Sequence, residues 1–269
     1  MQRKQKHDWL ARLTVLGLLA GGLAQAAWML VDDFSSGLGN WTVSASGNGI
    51  VDTLTNPLAT GPSGNTVARL DMSSQTANKA AFMTSTSTYS RGTAAALKVA
   101  FDLGYTHAPT NQYNGWSQYL SLAATPAATT DSYLAGHLGG AGGADQYKFQ
   151  MHVDGGDWPS SPDAHQYDGT WYHYELSLTA SQTTLNVYAW TSSNPADYLA
   201  ATPVWTNTIN TGIGSGNYYL RLVNLKPSLD TNAQSRDIMY ADNVYYSVPE
   251  PASLALLALG GLALFRRRR

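Results

Sequence analysis

The sequence predicts an all-β protein built as an antiparallel sandwich of two sheets. Three observations carry this reading. Apolar and polar residues alternate with a period of two through much of the chain between Ala27 and Ser247, as they do when successive side chains point to opposite faces of a strand. Clusters of Gly, Asn, Asp, Ser and Pro separate these runs, which is turn chemistry. No stretch between the same limits has helical periodicity, and nothing repeats with a period of 20–50 residues. About 12 to 14 short strands are expected, and one-face-polar strands in that number pack as two sheets.

The individual runs support this in order along the chain. On one strand Ala95, Leu97, Val99, Phe101 and Leu103 share a face, with Lys98 and Asp102 opposite. On another Tyr147, Phe149, Met151 and Val153 alternate with Gln146, Lys148, Gln150 and His152. Residues 217–224 and 238–247 are rich in Tyr and β-branched residues, which suit a pleated, half-buried surface. Turn-rich segments fall at 55–65, 139–143 and 154–169. No composition shift divides the body, so one domain is expected over 27–247. The chain has no cysteine, so its stability must come from a packed core, which a body of this size can bury.

The two ends read differently. Residues 1–12 are basic, residues 13–23 are an apolar run, and Ala24-Gln25-Ala26 places small side chains where a signal peptidase cuts. A signal peptide over 1–26 is therefore expected. At the other end, Val248-Pro249-Glu250-Pro251 precedes 14 apolar or small residues, 252–265, and then Arg266, Arg267, Arg268 and Arg269. As a helix that run spans roughly 21 Å against a bilayer core of about 30 Å. Arginine can snorkel to extend the span, and the cluster should stay cytoplasmic. The prolines flanking Glu250 hold the backbone extended and keep it out of the helix.

The tail, 248–269, resembles the PEP-CTERM sorting signal: a Pro-Glu-Pro motif, a short Leu/Ala/Gly-rich helix and a terminal Arg cluster. The resemblance implies a Gram-negative host, an exosortase as the processing partner, and an association with exopolysaccharide and biofilm. The expected course is export across the inner membrane, transient anchoring by a C-terminal transmembrane helix, and release to the cell surface or matrix. Three segments of the body carry a second resemblance. Residues 32–41 (Asp-Asp-Phe-Ser-Ser-Gly-Leu-Gly-Asn-Trp) resemble the opening of carbohydrate-binding jelly rolls. Residues 168–176, running on to 184–188, are similar to a strand pair of concanavalin-like and laminin-G-like domains. Residues 242–246 (Asp-Asn-Val-Tyr-Tyr) look like the closing strand of such sandwiches. The resemblance implies a jelly roll. It also implies a structural Ca2+ joining first and last strands, for which Asp32, Asp33 and Asp242 are the matching positions.

Composition excludes some functions. Eight of the 16 Lys and Arg sit in the first 12 and last four residues, which leaves eight against 17 acids from Ala27 onward. Such a body lacks the basic face that nucleic acid requires. Glycoside hydrolysis by the usual route needs two carboxylates at a set separation. The only Glu before the sorting signal is Glu175, in Glu-Leu-Ser-Leu-Thr, without the partner acids of the related glucanases. With His173 it is expected on the polar, solvated face of its strand. No Cys nucleophile, Gly-x-Ser-x-Gly elbow, His-Glu-x-x-His or phosphate loop is present. The chain is thus expected not to be an enzyme. Glycan binding fits better, because sugars stack on aromatic rings while polar neighbours take their hydroxyls. Two loops combine both: Tyr113 and Trp116 in one, Asp154, Asp157 and Trp158 in the other. The expected function is an exported module that associates with extracellular polysaccharide. A polysaccharide hydrolase or lyase and a ligand-free matrix protein are the alternatives.

Overall fold

The computed structural model describes residues 27–73, 79–106, 117–126, 133–139, 147–153, 169–226 and 238–248. The described residues form 14 strands and one 3-10 turn. Strands β1 (Met29–Asp32), β3 (Ile50–Thr55), β4 (Thr66–Asp71), β6 (Ala96–Thr106), β10 (Trp171–Thr179), β11 (Thr183–Ala189), β12 (Trp205–Ile209) and β14 (Ile238–Ser247) make one sheet. Its order is β12-β11-β10-β6-β14-β4-β3, with β1 added on β14. Strands β2 (Trp41–Ala45), β5 (Lys79–Tyr89), β7 (Ser117–Ala123), β8 (Tyr133–Gly139), β9 (Tyr147–Val153) and β13 (Tyr218–Lys226) make the second, in the order β2-β5-β13-β7-β8-β9. Every pairing is antiparallel.

The main core lies between the sheets and follows the alternation of the sequence. Leu97, Val99, Phe101 and Leu103 of β6 and Tyr174, Leu176 and Leu178 of β10 face inward, with Leu120, Leu122, Leu220 and Leu222 opposite. Each fully buried side chain of this kind contributes about 1.5–3 kcal/mol. Ala95, expected on this face, is exposed and precedes β6. Phe149 of β9 crosses the gap and meets Tyr172 edge-on at 5.0 Å. The Tyr105 and Tyr174 hydroxyls, both buried, bond each other at 2.9 Å.

Two features of β14 position the outer face and the chain ends. The register of β14 shifts between Asp242 and Tyr245, and Asn243 there has φ of +52°. Met239, Ala241 and Val244 all face the main core, so the bulge turns both Asp242 and Asn243 to the outer face. The second feature is the pairing at the end of the strand. Strand β1 pairs with β14 past the bulge, Met29 opposite Tyr246 and Leu30 opposite Tyr245. Ser247 lies opposite Lys98 at the same end. The far end of the sheet holds the pairs Ile238–Thr106, Trp171–Gly104 and Ile50–Asp71.

Candidate functional site

The outer face of the larger sheet carries a buried polar cluster around Asp102. Asp102 lies opposite Leu103 and Phe101 in the alternation of β6, so its side chain leaves the main core. Its neighbours in register are His173 on β10 and Asp242 on β14. One carboxylate oxygen lies 2.6 Å from His173 Nδ1. The other accepts from Trp190 Nε1 at 3.0 Å and from Asn243 Nδ2 at 2.9 Å. The bulge of β14 is what brings Asn243 to it.

A roof covers this cluster. The segment after β11 folds back through the 3-10 turn Pro195–Tyr198, whose Asn194 cap accepts from the Ala196 amide. The Tyr198 ring lies flat on His173, with centroids 4.0 Å apart and planes 4° from parallel. The Tyr198 hydroxyl accepts from the Thr191 and Ser192 amides and donates to the Ser192 carbonyl. The expectation of a solvated polar face is therefore corrected. His173 is 1% exposed, and Glu175 Oε1, buried, sits 3.7 Å from His173 Nε2. Sequence alternation finds the face but not the segment that covers it.

The charges in this cluster are coupled. Burial pulls the His173 imidazole down, but its contacts with the Asp102 and Glu175 carboxylates outweigh that and hold it above its ordinary value. The Asp242 carboxyl is pushed up to about 8, first by burial, with the nearby Asp102 charge acting in the same direction. Its Oδ2 atom is buried without a hydrogen-bond partner. The Tyr188 hydroxyl is raised to about 12 by burial and then by Glu175. This cluster can hold a proton, and Tyr198 stacks over its imidazole.

The other positions singled out by sequence fall as follows. Asp32 Oδ1 accepts from the Phe34 amide, and Oδ2 from Trp41 Nε1 and Asn40 Nδ2. Asp33 accepts from the amide and hydroxyl of Ser35. Among the described residues no group of three or more His, Cys, Asp or Glu could hold a metal ion. Tyr113, Trp116, Asp154, Asp157 and Trp158 lie outside the described residues, as do Ala24, Ala26, Pro249, Glu250, Pro251, Arg266, Arg267, Arg268 and Arg269. The same holds for the helices expected at the two ends, that of the signal peptide and the C-terminal transmembrane helix. Among the described residues no helix is long and apolar enough to cross a membrane.

The outer face of the smaller sheet carries a patch that sequence reading missed. Tyr119 and Val223 pack with Phe82 and Leu225. The Arg221 guanidinium sits 5.2 Å from the centre of the Phe82 ring, and its Nη2 donates to the Pro126 carbonyl at 2.9 Å. The alternation of β13 places Arg221 outward, but only the pairing of β13 with β5 and β7 brings Phe82 and Tyr119 beside it.

Comparison with known proteins agrees with this architecture. The chain is similar in fold to the CBM2 module of the evolved Dit of Lactobacillus casei BL23 phage J-1, at 14% identity and TM-score 0.52, covering 82% of this chain and 96% of that one. It is similar to the endo-beta-1,4-glucuronan lyase of the fungus Trichoderma reesei, at 11% identity and TM-score 0.52, covering 82% and 94%. It is also similar to the lectin UEA-II, solved with galactose, at 9% identity and TM-score 0.50, covering 82% and 98%. Comparison with curated protein sequences finds no match. The family described as the PEP-CTERM protein-sorting motif matches residues 247–269. That motif marks a chain for export, with a C-terminal anchor held in the membrane until cleavage. The chain thus has a jelly-roll fold similar to those of lectins and carries a PEP-CTERM sorting motif over residues 247–269.

Proposed function

We propose that the protein is delivered outside the inner membrane, cut by an exosortase, and left at the cell surface or in the matrix as a module that associates with exopolysaccharide. The observation that carries this reading is the direct join between the sorting motif, which begins at residue 247, and a lectin-like sandwich whose last strand ends at Ser247. The fold supports carbohydrate association, because the similar structures include a lectin with bound galactose and a CBM module. The strands that carry the two aromatic loops support it as well. Thr106, after which one loop begins in sequence, and Trp171, which closely follows the other, both lie at the end of the larger sheet opposite Ser247. Glycan-array binding by the exported protein tests the proposal. Binding to a polysaccharide that weakens on Trp116→Ala or Trp158→Ala is expected. Absence of binding to every neutral and acidic glycan would overturn it.

A second reading, a polysaccharide lyase or hydrolase, draws on the likeness to the glucuronan lyase. The Asp102–His173 pair adds no support to it, because the Tyr198 ring lies over the imidazole. Release of reducing or unsaturated sugar ends by the purified protein, lost in Glu175→Gln while its thermal transition is unchanged, would establish this reading instead.

A further inference from the structure

We infer that the β1–β14 end of the sandwich is a membrane-docking face in the tail-bearing precursor, with Trp28, Met29 and Leu30 seated in the bilayer interface. The inference rests on the C-terminal anchor of the sorting motif and goes beyond it, to how the folded body is held. Ser247 is 1% exposed and paired opposite Lys98, and Val248 packs against the main core. The body therefore ends at the first residues of the motif, without a spacer. Four residue steps separate Val248 from Ala252, where the apolar run begins. Fully extended, they reach about 14 Å. The folded end is thus tethered close to the lipid surface, and what it exposes there matters.

It exposes apolar side chains. Met29 lies opposite Tyr246, one pair from the end of the sheet. Met29 is 42% and Leu30 49% exposed, although both lie in a strand of the main sheet. Trp28, partly exposed, precedes them. Tryptophan favours the headgroup region of a bilayer, and exposed aliphatic side chains gain by entering its apolar boundary. Residues 27–31 carry no charged side chain. The first partly exposed acid, Asp33, lies four residues beyond Met29, roughly 13 Å at strand rise. The signal peptide, if cut after Ala26, would leave this same end at the membrane, so both processing events occur on one face.

The absence of cysteine permits a clean test. The tail-bearing chain, with its signal removed, is purified from a host lacking the sorting enzyme and reconstituted in phosphatidylethanolamine–phosphatidylglycerol vesicles. Single fluorophores are placed by Met29→Cys, Leu30→Cys, Ile50→Cys and Leu199→Cys, and quenched by lipids brominated near the headgroup. Ile50 and Leu199 are also exposed, at 43% and 55%, but away from the tail end. Labels at 29 and 30 should be quenched at least about twofold more than those at 50 and 199, as expected for side chains 5–10 Å into the boundary. Equal quenching at all four positions overturns the docking face. A fifth label, Leu257→Cys, read with lipids brominated deep in the acyl chains, separates this docking from the anchor on which it rests: if it escapes quenching, the anchor is not inserted and the export reading fails with it. Folding of each variant is verified by its thermal transition.

Discussion

Asp102 accepts hydrogen bonds from three side chains that stand far apart in sequence, His173, Trp190 and Asn243. A buried carboxylate with three donors fixes the relative position of β6, β10, β14 and the roof. Removing it leaves three donors without their acceptor. Asp102→Ala should cost on the order of 3–5 kcal/mol, read as a loss in urea midpoint. The titrations around it set a pH dependence with a definite sign. His173 is raised, so its stabilisation is complete below the ordinary histidine value and is lost as pH rises through the folded one. Asp242 keeps its proton up to about 8 in the folded state, whereas the unfolded chain releases it near 4. In both cases the native state binds more protons, so stability falls as pH rises. The melting temperature should be higher at pH 6 than at pH 9. Asp242→Asn, which keeps the shape without the charge, should flatten that slope and raise the melting temperature at pH 9 by several degrees. A lower value at pH 9 for this variant would show that the ionised carboxylate has a partner there, such as a bound cation.

At the scale of the elements, the inner and outer faces obey different rules. The inner face was legible from sequence: Leu97, Val99, Phe101 and Leu103 alternate as expected and all are fully buried. The strand pair expected around 168–188 is β10 with β11, and the closing strand expected at 242–246 lies in β14, which pairs with β1. The outer face was not legible, because its burial is made by segments remote in sequence. Trp171 shows this. Its neighbours in β10 alternate as polar residues, yet it is 1% exposed. It packs with Val67 and Tyr240, and Leu54, Leu58 and Trp190 close the group. The indole also lies against Gly104 and Gly61. A Cβ at Gly104 would come 2.5 Å from the Trp171 ring, and one at Gly61, where φ is +83°, would come 2.2 Å from it. Gly104→Ala should therefore destabilise by about 1–3 kcal/mol through overpacking. Combining it with Trp171→Leu should recover part of that loss, since the two sites share one contact. A fully additive double variant in denaturant unfolding would show that the clash is relieved elsewhere.

At the scale of the whole molecule, charge and connectivity decide what processing leaves behind. Between residues 27 and 247 there are eight basic and 16 acidic side chains. The body is acidic, so the glycan association proposed above should at low ionic strength favour neutral glycans over polyanionic ones, with the preference narrowing as salt screens the charge. The tail should be dispensable for the fold, because the last strand among the described residues ends at Ser247. A chain ending at Val248 should melt within about 1–2 °C of the tail-bearing chain, the range of changes that touch no packed feature. A chain ending at Val244 behaves differently. It lacks Tyr245, Tyr246 and Ser247, which pair with Ala100, Val99 and Lys98, and it also takes Leu30 and Met29 from their partners. It gives up the Tyr246 ring, which packs edge-on against Tyr89 at 4.7 Å. That loss should be on the order of 3 kcal/mol or more, comparable to emptying a core position. Calorimetry on the two truncations distinguishes the cases. Equal melting temperatures for both would mean that the β1–β14 seam contributes nothing. A sharp drop already at Val248 would mean that the sorting motif supports the body it is meant to release.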